Sequence, residues 1–154
     1  MIAVLLGTNP YSFERLVRAV DEIAKHQRRE VFVQLGHTAY EPQTCRWERF
    51  LEHDRLLALL ERAELVICQG GYGSIRDSLA LGLKVIAVPR QPQLGESVDD
   101  QSGLVRALEQ AGRILAVYDV AELEQALNKA ADFSPSSSEP CRIPQIIRQY
   151  LDSW

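Results

Sequence analysis

Short aliphatic runs alternate along the chain with stretches whose apolar residues recur every three or four positions. Ile2 to Leu6 ends at Gly7, and Glu30 to Leu35 stops at Gly36. Leu65 to Cys68 runs into Gly70, Val85 to Val88 is closed by Pro89, and Ile114 to Val117 completes the set. Runs this short and this uniformly apolar predict strands buried on both faces. Between them, Ser12 stands where it would cap a helix carrying Phe13, Leu16, Val17, Val20, Ile23 and Ala24 on one face. Further helices are predicted over residues 53–63, 74–81 (closed by Gly82), 100–111 and 120–130. The segment holding Pro42, Cys45 and Trp47 reads as a polar loop, as does Arg90 to Val98. Five β-α repeats of this kind predict an α/β protein with a Rossmann-like parallel sheet and helices on both faces.

The chain then changes character. Ser134, Ser136, Ser137 and Ser138 with two prolines read as a linker over residues 132–141, after a domain spanning 1–131. A last helix within 142–154 carries Ile143, Ile146, Ile147, Tyr150, Leu151 and Trp154 at helical spacing. That stripe fits either a partner-docking element or packing on its own domain.

Composition narrows the class. A chain of 154 residues is enough for one core and too short for two domains. A net charge of −4 argues against a non-specific nucleic-acid binder, although a helix N-terminus can hold an anion whatever the global charge. No apolar run is long enough to span a bilayer, and no basic region precedes Ile2 as in a secretory signal. Cys45, Cys68 and Cys141 are odd in number and scattered, which suits a reducing, cytoplasmic setting rather than a disulfide framework.

Parallel sheets bind ligands beyond the C-terminal ends of their strands, so the loops there carry the candidate chemistry. The strongest signal is Gln69-Gly70-Gly71-Tyr72-Gly73-Ser74, after a strand and opening a helix. Glycines permit a sharp turn and close ligand approach, and the first-turn N–H groups suit a phosphate or diphosphate. The same residues would also serve as a plain tight turn with Ser74 as N-cap. No Lys follows the glycines as in a Walker loop, and Gly7-Thr8-Asn9-Pro10 is not a dinucleotide fingerprint. Nor is the acidic pair of a receiver-type phosphorylation domain present near the first strand.

Asp77 suits ribose hydroxyls, or else the dipole of a first helical turn. In Glu96 to Gln101 the Asp and Gln side chains suit sugar hydroxyls, with Asp99 or Asp100 alternatively a helix cap. His37 follows the second strand on the ligand side, as a candidate base or a solvated loop residue. His26, His53 and the cysteines show no metal-ligand spacing.

The segment from Val66 through Gly82 to Val88-Pro89 resembles the C-terminal domain of glycosyltransferase family 28. Gly7-Thr8-Asn9-Pro10, Phe13-Glu14-Arg15-Leu16-Val17 and Val33-Gln34-Leu35-Gly36-His37 look closer to a subgroup of soluble subunits of two-part glycosyltransferases. That subgroup includes the catalytic subunit of the dolichol-linked N-acetylglucosamine transferase and bacterial polysaccharide glycosyltransferase subunits. The resemblance covers about residues 1–130 and implies the C-terminal half of a GT-B fold. It implies a UDP-sugar site with Gly70, Gly71, Gly73 and Ser74 at the diphosphate and Asp77, where the family usually has Glu, at the ribose. Phe50 and Leu51 would frame the uracil, and Asp100 and Gln101 would contact the donor sugar. Gly7, Thr8 and Asn9 would face the cleft between the two halves. Gln101 is followed by Ser102 where the family often pairs two amide or imidazole side chains, so the donor sugar is open among N-acetylglucosamine, glucose, galactose and glucuronic acid.

The activity so implied is an inverting, metal-free hexosyl transfer from a UDP-sugar to a polyprenyl-diphosphate-linked acceptor, with no cofactor and no nucleic-acid partner. A membrane-anchored subunit would supply the other GT-B half and recruit this chain to the cytoplasmic face of the membrane. The alternatives are a non-catalytic nucleotide-sugar-binding or scaffold protein that kept the fold, or another nucleotide-binding α/β protein.

Overall fold

The computed structural model describes residues 1–136 and 147–149. Among these residues, six parallel strands form one sheet: β1 (Ile2–Leu5), β2 (Val31–Gln34), β3 (Arg46–Glu48), β4 (Leu65–Gln69), β5 (Lys84–Val88) and β6 (Leu115–Ala116). Their order is β3-β2-β1-β4-β5-β6, so the chain reverses its winding direction between β1 and β4. The helices are α1 (Glu14–Gln27), α2 (His53–Arg62), α3 (Tyr72–Ala80), α4 (Ser102–Gln110) and α5 (Leu123–Ala130).

The period of two within each strand sorts its side chains into two cores. Ile2, Val4, Leu6, Ile67, Ile86 and Val88 face Leu16, Val17 and Val20 of α1 and Leu123 and Leu127 of α5. Ala3, Leu5, Val66, Cys68, Val85 and Ala87 face the other way, onto Leu60, Ile75, Val105 and Leu108 of α2, α3 and α4. Burial on both faces is why these strands read as unbroken aliphatic runs. It also pushes the Cys68 thiol up to about 12, and burial together with the nearby Asp21 carboxylate does the same for Cys45.

Two expectations need correction. The polar segment around Trp47 contributes an edge strand, β3, paired with β2 over Phe32↔Arg46 to Gln34↔Glu48. Its charges face outward at the sheet edge while Trp47 packs on the first core. Ser12 does not cap α1: its Oγ accepts from Ala39 N at 3.2 Å, and the helix begins beside Phe13 without a side-chain cap. Within the expected linker, Ser136 is tied down. Its N donates to Gly112 O at 3.0 Å and its Oγ donates to Ala111 O at 2.9 Å.

The remainder of the linker, 137–141, lies outside the described residues, as do Ile143, Ile146, Tyr150, Leu151 and Trp154 of the expected last helix. Residues 147–149 are helical, and Ile147 packs against the second core of the same chain.

Buried Asp21 organises the approach to β3. Its carboxylate accepts from Gln43 N, Thr44 N and Cys45 N at 2.8–3.2 Å and from the Tyr40 hydroxyl at 2.9 Å. Burial alone would raise this carboxyl, but the backbone N–H groups and Tyr40 hold it below its ordinary value.

Candidate functional site

The reversal between β1 and β4 opens a crevice at the C-terminal edge of the sheet, the place where such folds bind ligands. A cleft of about 370 Å³ lies there, lined by Gly7, Thr8, Gln34, Gln69, Gly71, Gly73, Ser74 and Asp77 on its polar side. Leu5, Phe50, Leu51 and Leu56 form an apolar wall. Phe50 is 48% exposed, large and apolar at a cleft mouth, which suits a flat ring.

The three glycines after β4 have different surroundings, and none has a left-handed backbone. A Cβ on Gly70 would stand 2.8 Å from both Gln101 Cβ and Val105 Cγ2, so Gly70 lets α4 pack against the turn. A Cβ on Gly71 would press on the Gln69 amide at 3.1 Å, while its φ of −80° is open to any residue. A Cβ on Gly73 would meet nothing within 4 Å. Gly73 therefore serves neither turn nor packing, although glycine inside a helix costs about 1 kcal/mol relative to alanine. What it leaves clear is the cleft in front of the first turn of α3.

Helix α3 begins at Tyr72 with Gly71 as N-cap and no side-chain cap, so Ser74 sits inside the first turn rather than capping it. The first-turn N–H groups are thus presented to the cleft without a capping side chain. The same boundary moves Asp77 beyond the first turn and removes its helix-dipole alternative. One Asp77 oxygen, Oδ1, accepts from Arg76 Nε and Nη2 at 2.9 and 2.7 Å, and Oδ2 has no such partner among the described residues.

The other expected residues divide. Gly7, Thr8, Phe50, Leu51, Gly71, Gly73, Ser74 and Asp77 come together in this cleft. Gly70 stands behind it. Asn9 lies on the first glycine loop outside the cleft lining, its Oδ1 accepting from Tyr11 N at 3.0 Å in a local turn. His37 is exposed and rests edge-on against Phe50, with ring centroids 5.1 Å apart. Asp100, just ahead of the Gln101 N-cap of α4, accepts from Ser102 N at 2.8 Å, which holds its carboxyl below the ordinary value. Gln101 Oε1 accepts from Arg90 N at 3.0 Å, which leaves its NH2 for another acceptor. Among the described residues, no group of three or more His, Cys, Asp or Glu side chains could hold a metal ion. Nor is any helix among them long and apolar enough to cross a membrane.

Sequence reasoning missed Gln34, Gln69 and Arg90 as site residues. Each glutamine is the last residue of an otherwise apolar, buried strand, and a polar side chain there already points at the ligand edge of the sheet.

A Rossmann-like parallel sheet with its cleft at the point of reversal is an α/β half-fold, here equivalent to the C-terminal half of a GT-B glycosyltransferase. The chain belongs to the glycosyltransferase family 28 C-terminal domain family, whose model matches residues 1–144. No curated protein matches the sequence.

Among solved structures, the glycosyltransferase of kitacinnamycin is 19% identical with a TM-score of 0.66, over 96% of this chain and 38% of that one. MurG of Acinetobacter baumannii is 16% identical with a TM-score of 0.57, over 84% and 41%. The UDP-GlcNAc 2-epimerase of Methanocaldococcus jannaschii, solved with UDP-GlcNAc and UDP, is 12% identical with a TM-score of 0.65, over 99% and 45%. These likenesses establish the fold, and the chain spans less than half the length of each of these proteins.

Proposed function

We propose that this chain is the donor-binding subunit of a two-part glycosyltransferase. It holds a UDP-sugar, and a membrane-anchored partner supplies the other GT-B half and the lipid-linked acceptor. Together they transfer the hexose with inversion to a polyprenyl-diphosphate-linked sugar at the cytoplasmic face of the membrane, in polysaccharide or glycolipid synthesis.

The observation that carries this reading is Gly73. It is a glycine in a helix, facing open space, in front of first-turn N–H groups that no side chain caps. Those groups and the helix dipole suit a diphosphate. They are aimed where charge grows on the departing UDP, so they assist the chemistry as well as binding. Gly70, Gly71 and Ser74 build the same turn. Asp77 Oδ2 then meets the ribose, and Phe50 and Leu51 frame the base. Gln101 and Asp100 lie toward the sugar, with Gly7, Thr8 and Asn9 facing the partner. His37, exposed and edge-on against Phe50, is this chain's candidate for a base, and the group that deprotonates the acceptor belongs largely to the partner.

A thermal-shift panel of UDP, ADP, GDP and UDP-sugars tests the donor site, because a ligand that binds the folded state raises its melting temperature. UDP and one UDP-sugar are expected to stabilise the chain where ADP does not. Equal shifts for UDP and ADP would point instead to a general nucleotide binder. Turnover onto a lipid-linked acceptor is expected only when membranes holding the partner are added. Transfer by the chain alone, abolished by His37→Ala, would contradict the two-part reading.

A further inference from the structure

Gln34 and Gln69 end the two strands that flank β1, and both line the cleft. They differ in what their amides do. Gln34 is fully engaged: its Oε1 accepts from Gly7 N, and its Nε2 donates to Gly7 O and Arg49 O, all at 2.9 Å. Gln69 is engaged on one side only. Its Oε1 accepts from Arg90 Nε, while its Nε2 has no hydrogen-bond partner among the described residues, although Gln69 is only 8% exposed.

The orientation of this amide is dictated by chemistry. A guanidinium has donors and no acceptor, so the group facing it must be the carbonyl oxygen and the NH2 must face away. Away means into the cleft. Nε2 lies 2.2 Å from where a Cβ on Gly7 would stand and 3.1 Å from where one on Gly71 would stand, between the first glycine loop and the mouth of α3.

Arg90 cannot swing aside to release the amide. It is 1% exposed, and its guanidinium donates to Leu6 O at 3.0 Å, Tyr11 O at 2.8 Å and Glu96 O at 2.9 Å. The Phe13 ring lies 4.7 Å away. The amide NH2 is thus a fixed donor open to the cleft, and an anionic oxygen at this spot takes the place of solvent there.

We propose that Arg90 is a positioning residue of the donor site, locking the Gln69 amide so that its NH2 donates to an anionic oxygen of the bound diphosphate. This rests on the donor-site reading above and adds a specific group to it.

The test uses UDP and uridine, which share a base and ribose and differ in the diphosphate. Gln69→Glu keeps the size of the side chain and gives Arg90 a carboxylate to hold, but turns an acceptor toward the anion. The variant is expected to fold, to lose about 10- to 100-fold in UDP affinity, and to keep its uridine affinity. Arg90→Lys, which holds the amide less firmly, is expected to lower the ratio of UDP to uridine affinity.

The side-chain amide resonances of Gln69 in the wild-type protein give a readout that needs no variant. They are expected to shift with UDP and to stay put with uridine. Undiminished UDP binding by Gln69→Glu, or a Gln69 amide indifferent to UDP, would overturn the assignment while leaving the donor site standing. Wild-type protein that bound neither UDP nor uridine would overturn both.

Discussion

Strands β4 and β5 are neighbours, and the connections that leave them emerge side by side at the C-terminal edge of the sheet. They treat their polar groups in opposite ways. After β5 the chain fills its loop with its own side chains. Glu96, 5% exposed, accepts from Arg15 Nε at 2.6 Å, Arg15 Nη2 at 3.1 Å and Gln91 N at 2.9 Å. Arg90 donates to three backbone carbonyls and to Gln69, and burial lowers it to about 10, still charged at neutral pH. After β4 the chain does the reverse. It places bare glycines at the mouth of an uncapped helix and leaves an amide donor facing the gap. The filled loop is scaffold, and the open turn is the proposed site. A ligand is needed only where the protein has not answered its own polar groups.

Breaking the filled side should cost the most. Glu96→Ala strands Arg15 in a partly buried place and is expected to lower unfolding free energy by about 3–5 kcal/mol in urea titration. A loss below about 1 kcal/mol would mean that the loop is not held by this pair. Gly70→Ala sharpens the division within the turn itself. Its Cβ would collide with Gln101 and Val105, so a destabilisation of about 1–3 kcal/mol is expected.

Asp77→Ala belongs to the open side. UDP affinity is expected to fall by about 1–3 kcal/mol as a charged hydrogen bond is lost. Stability should hardly change, because the Arg76–Asp77 pair is an exposed contact. Lost stability with intact UDP affinity would return Asp77 to a structural role.

The smallest effect concerns Asp21, a second self-satisfied cluster. Its folded carboxyl lies below the ordinary value of 3.8, so the folded state binds the proton less tightly than the unfolded chain does. The stabilisation is complete above that ordinary value and is lost as pH falls through the lowered one. Stability of the wild type relative to Asp21→Asn is therefore expected to be flat near neutrality and to shrink only in acid. A difference that grew in acid would contradict the assigned interactions.

The architecture was legible because burial on both sheet faces writes itself as aliphatic runs. Strand β3 was not, since Arg46-Trp47-Glu48 is three residues long and shows only one apolar side chain. Helix starts misled the reading where a serine looked like a cap: α3 begins at Tyr72, so Ser74 lies inside its first turn, and Ser12 bonds Ala39 instead. The glycine turn stood out as a motif, but its three glycines looked alike, and only the packed neighbours separate Gly70 from Gly73. Arg90 was hidden for a different reason. Its partners Leu6 and Tyr11 lie 84 and 79 residues away, and no local pattern announces contacts made by folding.

The central claim is that the open turn in front of α3 holds the diphosphate of the donor. Gly73→Leu addresses it most directly, because the fold has room for a side chain there and leucine favours a helix more than glycine does. Calorimetric titration with UDP, together with thermal unfolding of both proteins, is the measurement. The account predicts a variant that melts no lower than the wild type and binds UDP at least about 100-fold more weakly, roughly 2.7 kcal/mol. A folded Gly73→Leu protein that bound UDP as tightly as the wild type would place the diphosphate elsewhere and contradict the account.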